Sequence, residues 1–152
     1  MNLPKLRNPV IEIPELLKSV ENFAVFEGTA PNKLEQFIQD LSYNIDKYEA
    51  GDLILDKGEG VDYFGIIISG EVNKESSSKT EALKGGDQIG LIEIASRKNE
   101  IASKYSAKTD CVVLWTRLKH FIQVSGFVMN NDYNPFIENL FKCCADEAIS
   151  DN

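Results

Sequence analysis

Apolar residues recur along this chain with two periods, and the change of period divides it. From Pro31 to Leu41, Leu34, Phe37, Ile38 and Leu41 fall at i, i+3, i+4 and i+7, one face of a helix. Upstream, Pro14 is placed to open a short helix through Val20 with Leu16, Leu17 and Val20 inward. Met1 to Ile13, with Pro4 and Pro9, reads as an extended lead-in, and Val25-Phe26 before Gly28-Thr29 as a turn. Beyond Leu41 the period shortens. Tyr43, Ile45 and Tyr48 alternate, Ala50-Gly51-Asp52 turns, and Leu53-Ile54-Leu55 begins a strand. Lys57 to Asp62 is the next turn, Tyr63 to Ser69 is strongly β-like, and Glu71 to Lys74 after Gly70 is predicted to be its hairpin partner. Ser76-Ser77-Ser78 is a polar tip from which Thr80 to Leu83 returns. Short strands with turn signals at about 8–12-residue spacing predict a sandwich or jelly roll.

Leu83 to Trp115 predicts a strand, a glycine turn at Gly85-Gly86-Asp87, a short buried helical turn, a polar loop from Ser96 to Glu100, and two more strands. Thr116 is then expected to cap a short helix holding Leu118, Phe121 and Ile122, with Gly126 to Asn131 as a loop. A final helix follows, with Asn134 as cap and Pro135 at its first position. Ile137, Leu140, Phe141, Cys144 and Ala148 form one stripe along it.

Charge and composition narrow the classes. A chain of 152 residues with 43% hydrophobic and 26% charged residues is expected to form one globular domain. A net charge of −8 and no basic run argue against nucleic-acid binding by this chain itself. No signal-peptide pattern and no apolar run of membrane-spanning length is read, so a cytoplasmic protein with no membrane partner is expected. Cys111, Cys143 and Cys144 are expected to be free thiols. His120 is the only histidine, so a jelly-roll metal enzyme lacks its ligands, and no nucleophile–base pair is read. No metal, no cofactor and no enzymatic activity are expected.

Gly86-Asp87, Ile89-Gly90 and Ala107-Lys108-Thr109-Asp110-Cys111 stand in one register, and Phe64, Ile66-Ile67-Ile68, Gly70 and Val72 form a second block upstream. Together they resemble the phosphate-binding cassette and preceding strand of the cyclic-nucleotide-binding domain, as in the sensor half of catabolite-activator and fumarate-nitrate-regulator (CRP/FNR) transcription regulators. The resemblance implies a mainly β, double-stranded β-helix (jelly-roll) barrel with N-terminal helices and a C-terminal dimerisation helix. It implies a lead-in and short helix over 1–30, the jelly roll over 31–125 and the dimerisation helix over 126–152, the stripe above facing a second copy. DNA contact would then run through a helix-turn-helix domain not included in residues 1–152. The fumarate-nitrate branch's iron–sulfur cysteines have no counterpart before Cys111.

The ligand pocket implied by the cassette comprises Ile89, Gly90, Leu91, Ile92, Ile101, Ala102 and Ser103. Here the family's ribose-binding glutamate falls on Leu91, and its phosphate-pairing arginine on Ile101. A cyclic phosphate in a dry cleft needs the arginine fork. Removing one partner of a buried pair costs about 3–5 kcal/mol, or two to three orders of magnitude in affinity. The chain therefore reads as an effector-sensing, dimer-forming domain that does not bind cyclic AMP in the usual way, with an unidentified small-molecule effector. Two alternatives stay open: a true cyclic-nucleotide module with contacts rearranged through Arg97, Lys98 or Lys104, and a ligand-free structural or protein-interaction module.

Overall fold

The computed structural model describes residues 11–60, 62–98, 100–130 and 134–151, with residues 147–151 as helix backbone alone. The lead-in before residue 11, the segment 131–133 and the side chain of Ala148 lie outside the described residues. Helix α1 (Ile13–Val20) carries proline in its first turn, and Leu16 and Val20 face inward. A 3-10 turn (Ala24–Phe26) buries Val25 and Phe26, and α2 (Pro31–Asp40) buries Leu34, Phe37 and Ile38, as its spacing predicts.

Eight strands follow among the described residues: β1 (Asn44–Tyr48), β2 (Leu53–Leu55), β3 (Phe64–Ser69), β4 (Val72–Glu75), β5 (Thr80–Leu83), β6 (Gln88–Ile89), β7 (Lys104–Ala107) and β8 (Cys111–Thr116). They form two antiparallel four-stranded sheets, in the orders β1-β8-β3-β6 and β2-β7-β4-β5, the mainly β jelly-roll architecture with flanking helices. The short helix α3 (Leu91–Ala95) lies between β6 and β7. Helices α4 (Leu118–Met129) and α5 (Pro135–Asp151) complete the chain.

One expected pairing is not made. Glu71 to Lys74 does not form a hairpin with Tyr63 to Ser69: β3 pairs with β8 and β6, while β4 joins β5 and β7 in the other sheet. The reason lies at Gly70, where φ is +87°, and a Cβ would meet the Asp110 carbonyl and come within 2.7 Å of Cys111 Cα. The chain turns a corner between sheets there instead of folding back. The hairpin through Ser76-Ser77-Ser78 does form, between β4 and β5.

The C-terminal half also differs from its expected outline. Residues 126–129, expected as a loop, are the last turn of α4, so the expected division at 125/126 falls inside that helix. Phe121, Val124, Ser125 and Val128 are its buried face, which outweighs the modest helix cost of Gly126. Asn130, at φ 49°, ends it by donating its N–H to the Gly126 carbonyl (3.1 Å). Ile122, expected inward, is 41% exposed because it is offset from that face. Thr116 ends β8 and donates its hydroxyl to the Ser42 carbonyl (2.9 Å) instead of capping α4.

Helices and roll meet in an aromatic cluster. Phe37 stacks on Phe136 with centroids 4.5 Å apart and meets Phe121 edge-on at 4.8 Å, and Phe26 and Phe64 close the group. Helix α5 enters it through Phe136 and Leu140. Asn134 Oδ1 accepts the Phe136 N–H (3.1 Å) as a cap, and Asn139 Nδ2 donates to the Val25 and Glu27 carbonyls at 3.1 and 2.8 Å. The stripe predicted along α5 is thus divided: Leu140 enters the chain's own core, Ile137 and Cys144 are half-buried, and Phe141 is 72% exposed. Leu140→Ala is expected to cost about 2–5 kcal/mol in urea unfolding, and Phe141→Ala to stay within about 0.5 kcal/mol.

Candidate ligand-sensing site

The cassette is knitted to the centre of the first sheet. Gly86 N–H donates to the Ile67 carbonyl (2.7 Å) and Ile67 N–H to that of Asp87 (2.9 Å), while Asp87 Oδ2 accepts the Lys84 N–H (2.8 Å). Gly90, at φ +77°, then turns β6 into α3. On the opposite side of the loop, Ile101 N–H donates to the Glu59 carbonyl (2.9 Å), and its own carbonyl accepts from Gly58 (3.0 Å).

Both positions that would carry ligand chemistry are packed. Leu91 has no exposure and belongs to the core on the helical side. Ile101 is 2% exposed and belongs to the roll interior with Ile89, Leu55, Tyr105, Val113 and Trp115. Its Cδ1 lies 3.4 Å from where a Gly90 Cβ would sit. Of the other predicted pocket residues, Ser103 is buried, Ile92 half-buried and Ala102 exposed. The structure thus brings Ile89, Gly90 and Ile101 together and sends Leu91 to a different core. Arg97, Lys98 and Lys104 are all exposed.

Three charged groups lie inside, and of them sequence reasoning weighed Glu93 but neither Lys74 nor Asp46. Lys74 is 2% exposed, with Nζ 4.0 Å from Glu81 Oε1; Glu93 is 2% exposed and Asp46 fully buried. A signal for Lys74 existed: two residues beyond Val72 on one strand, it shares that inward face. Glu93, two positions after Leu91 on a short helical turn, reads from the sequence as pointing away from a ligand, and it is buried.

Several residues weighed as functional have structural partners. His120 Nε2 accepts the Ser42 N–H (2.8 Å). Thr109 Oγ1 accepts from Glu71 N–H (3.0 Å) and Asp110 Oδ1 from Ala50 N–H (2.9 Å), tying off turns. None of Cys111, Cys143 and Cys144 is joined in a disulfide among the described residues. Among the described residues no group of His, Cys, Asp and Glu is arranged to hold a metal, and no helix is long and apolar enough to cross a membrane.

No family model and no curated protein matches the chain. Solved structures do. The sensor domain of the transcriptional regulator DNR from Pseudomonas aeruginosa superposes with a TM-score of 0.67 at 14% identity, covering 89% of each chain. The regulatory subunit of a cAMP-independent protein kinase A from Trypanosoma brucei gives 0.65 at 22% identity, over 78% of this chain and 43% of that one. The catabolite activator protein of Thermus thermophilus gives 0.65 at 16% identity, over 84% of this chain and 59% of that one. This is the cyclic-nucleotide-binding-domain fold. At these identities the likeness is one of fold, and the chain spans less than two thirds of the trypanosome and Thermus proteins.

Within this cyclic-nucleotide-binding fold the roll interior holds protons tightly. Burial, with Asp110, Asp52 and Asp46 nearby, pushes the Cys111 thiol from 9.0 up to about 11. Burial and then Asp46 raise the Tyr48 phenol as well. The unfolded chain releases the Cys111 proton at lower pH than the folded one, so the thiol's contribution is complete below pH 9.0 and is lost as pH rises toward about 11. The urea midpoint is expected to fall across that window, and less steeply in Cys111→Ala. Ile101→Ala is expected to destabilise by about 2–5 kcal/mol, as a packed core position does. An unchanged urea midpoint for Ile101→Ala would mean the position is a vacant ligand seat.

Proposed function

We propose that this chain is the effector-sensing domain of a CRP/FNR-like transcription regulator whose cassette does not hold a cyclic nucleotide in the usual way. One observation carries the reading: Ile101, 2% exposed, is an aliphatic member of the roll core where the family's arginine would stand. Its partner position, Leu91, is sealed into the helical-side core. An anion entering there would face hydrocarbon, and a buried charge without a partner is costly. The exposed Arg97, Lys98 and Lys104 give no support to rearranged phosphate contacts.

The neighbours agree with a regulatory role and not with a catalytic one. They include a transcriptional sensor domain and a catabolite activator, and the trypanosome subunit belongs to a kinase described as cAMP-independent. On this reading the protein is a cytoplasmic non-enzyme that acts on DNA only through a separate helix-turn-helix domain. A second copy pairs along the outer side of α5, where Phe141 stands exposed.

Calorimetric titration tests the central claim. Cyclic AMP and cyclic GMP at up to about 1 mM are expected to give no saturable heat, and micromolar binding of either overturns the reading. Sedimentation of the same protein is expected to show a dimer; a monomer at high concentration removes the self-pairing.

A further inference from the structure

Helices α2 and α4 lie side by side and antiparallel, and two bonds fix their register. Lys33, in the first turn of α2, donates its Nζ to the Val128 carbonyl near the end of α4 (3.1 Å). Ser42, just past α2, donates its N–H to His120 near the start of α4 (2.8 Å). On the surface these helices share, Phe127 is 77% exposed, more than any other large apolar side chain among the described residues. It is the wall between two shallow hollows. One takes in Lys33 and Gln36; the other, of about 500 Å³, is lined by Asp40, His120, Gln123 and Val124.

A lone exposed phenylalanine calls for no explanation. The spacing around it does. Lys33 and Asp40 are seven residues apart, so they stand on one side of α2, about 10 Å apart along its axis. His120 and Phe127 are also seven apart and share one side of α4. Because the helices are antiparallel, the cation and the phenylalanine stand at one end of the face, the anion and the larger hollow at the other. Such a face is complementary to itself. A two-fold axis running across both helices lays each helix antiparallel on its own copy. Lys33 then meets Asp40 twice, and each Phe127 enters the hollow at His120 and Gln123 of the other chain.

Charge supports the same occupant. Two chains of net charge −8 repel one another. The residues lining these hollows sum to zero, +1 from Lys33 and −1 from Asp40 with His120 neutral. Neither Lys33 nor Asp40 has an ion pair among the described residues. An aromatic anchor between charged ends is the anatomy of a protein interface. The face is about 15 Å long and two helices wide, at the small end of specific interfaces, so the contact is a weak one.

We infer that the α2–α4 face docks on the same face of a second copy of this chain, with Phe127 seated against His120 and Gln123 of that copy and Lys33 paired with its Asp40. This is a different surface from the outer side of α5, and the inference goes beyond the pairing proposed there. A chain with both contacts joins its dimers into larger assemblies.

The Phe141→Ser chain, which lacks the α5 contact, is the protein to test. Sedimentation is expected to show reversible association with a Kd on the order of 0.1 mM, weakened about tenfold or more by Phe127→Ser. Lys33→Glu and Asp40→Lys each set like charges opposite one another, and each is expected to weaken association about tenfold. Mixing the two variants restores it, because both pairs in the mixed dimer are again opposite in sign. Carbodiimide coupling of unlabelled with heavy-isotope-labelled chains is expected to yield a Lys33–Asp40 peptide carrying both labels, a readout that needs no charge variant to fold. No association at about 1 mM overturns the inference. So does association indifferent to Phe127→Ser, a mixture no better than its components, or coupling without the mixed-label peptide. Association of the unsubstituted chain that Phe141→Ser leaves unchanged would instead strike the α5 pairing, so the two failures are distinguishable.

Discussion

The sheet β1-β8-β3-β6 is covered on both faces, and this double burial sets the place of every other element. Phe64, Ile66 and Ile68 of β3, with Leu114 of β8, face the helices, while Ile67, Val113 and Trp115 face the roll interior. A sheet with apolar side chains on both sides needs a layer on each. The helices and the 3-10 turn supply one layer, and the second sheet supplies the other. Gly65 shows how tight the inner side is: a Cβ there would lie 2.8 Å from Val113 Cγ1 and 3.2 Å from the Trp115 ring. The absent side chain is the space that the indole fills.

That same double burial explains what could be read from the residues and what could not. Strands and helices with a clear period were legible: α2 from Leu34, Phe37 and Ile38, and the cap of α5 from Asn134 and Pro135. The glycines and strand blocks pointed to the jelly roll, which the structural neighbours bear out. Tyr63 to Ser69 was legible as a strand but not in its pairing, because a run that is apolar on both faces carries no sidedness from which to choose a neighbour. Gly70 reads equally as a hairpin turn or as a corner between sheets, and only the approach of Asp110 and Cys111 decides. Helix α4 was cut short on paper because Gly126 looks like a break, whereas tertiary burial of Val124 and Val128 on either side carries the helix through it. The sequence register sets Leu91 and Ile101 on either side of one loop, and both are buried. The separate cores they enter follow from three-dimensional packing, which local pattern does not encode.

The Gly86–Gly90 turn is held by its backbone, and the side chains of Leu91 and Ile101 beside it are packed into core. Gly86 and Gly90 still hold positive φ values, and the bonds between Ile67 and the Gly86–Asp87 turn still anchor the loop to the sheet. These features are needed by the fold whether or not a ligand binds: the turn must leave β5, reach β6 at the edge of the first sheet and re-enter through α3. The side chains at Leu91 and Ile101 are under no such demand, and aliphatic residues there add buried apolar area at about 25 cal/mol per Å². Burying these two side chains stabilises the domain.

Helix α5 meets two competing demands, and its residues divide between them. Seventeen residues of helix are longer than the inner contact through Phe136, Leu140 and the Asn139 bonds requires. A residue buried against its own core cannot also be the centre of a contact with a second copy, so Leu140 is committed and Phe141, one position on and about 100° around the helix, is not. Any partner must therefore meet α5 from the side of Phe141, leaving the inner face to the domain.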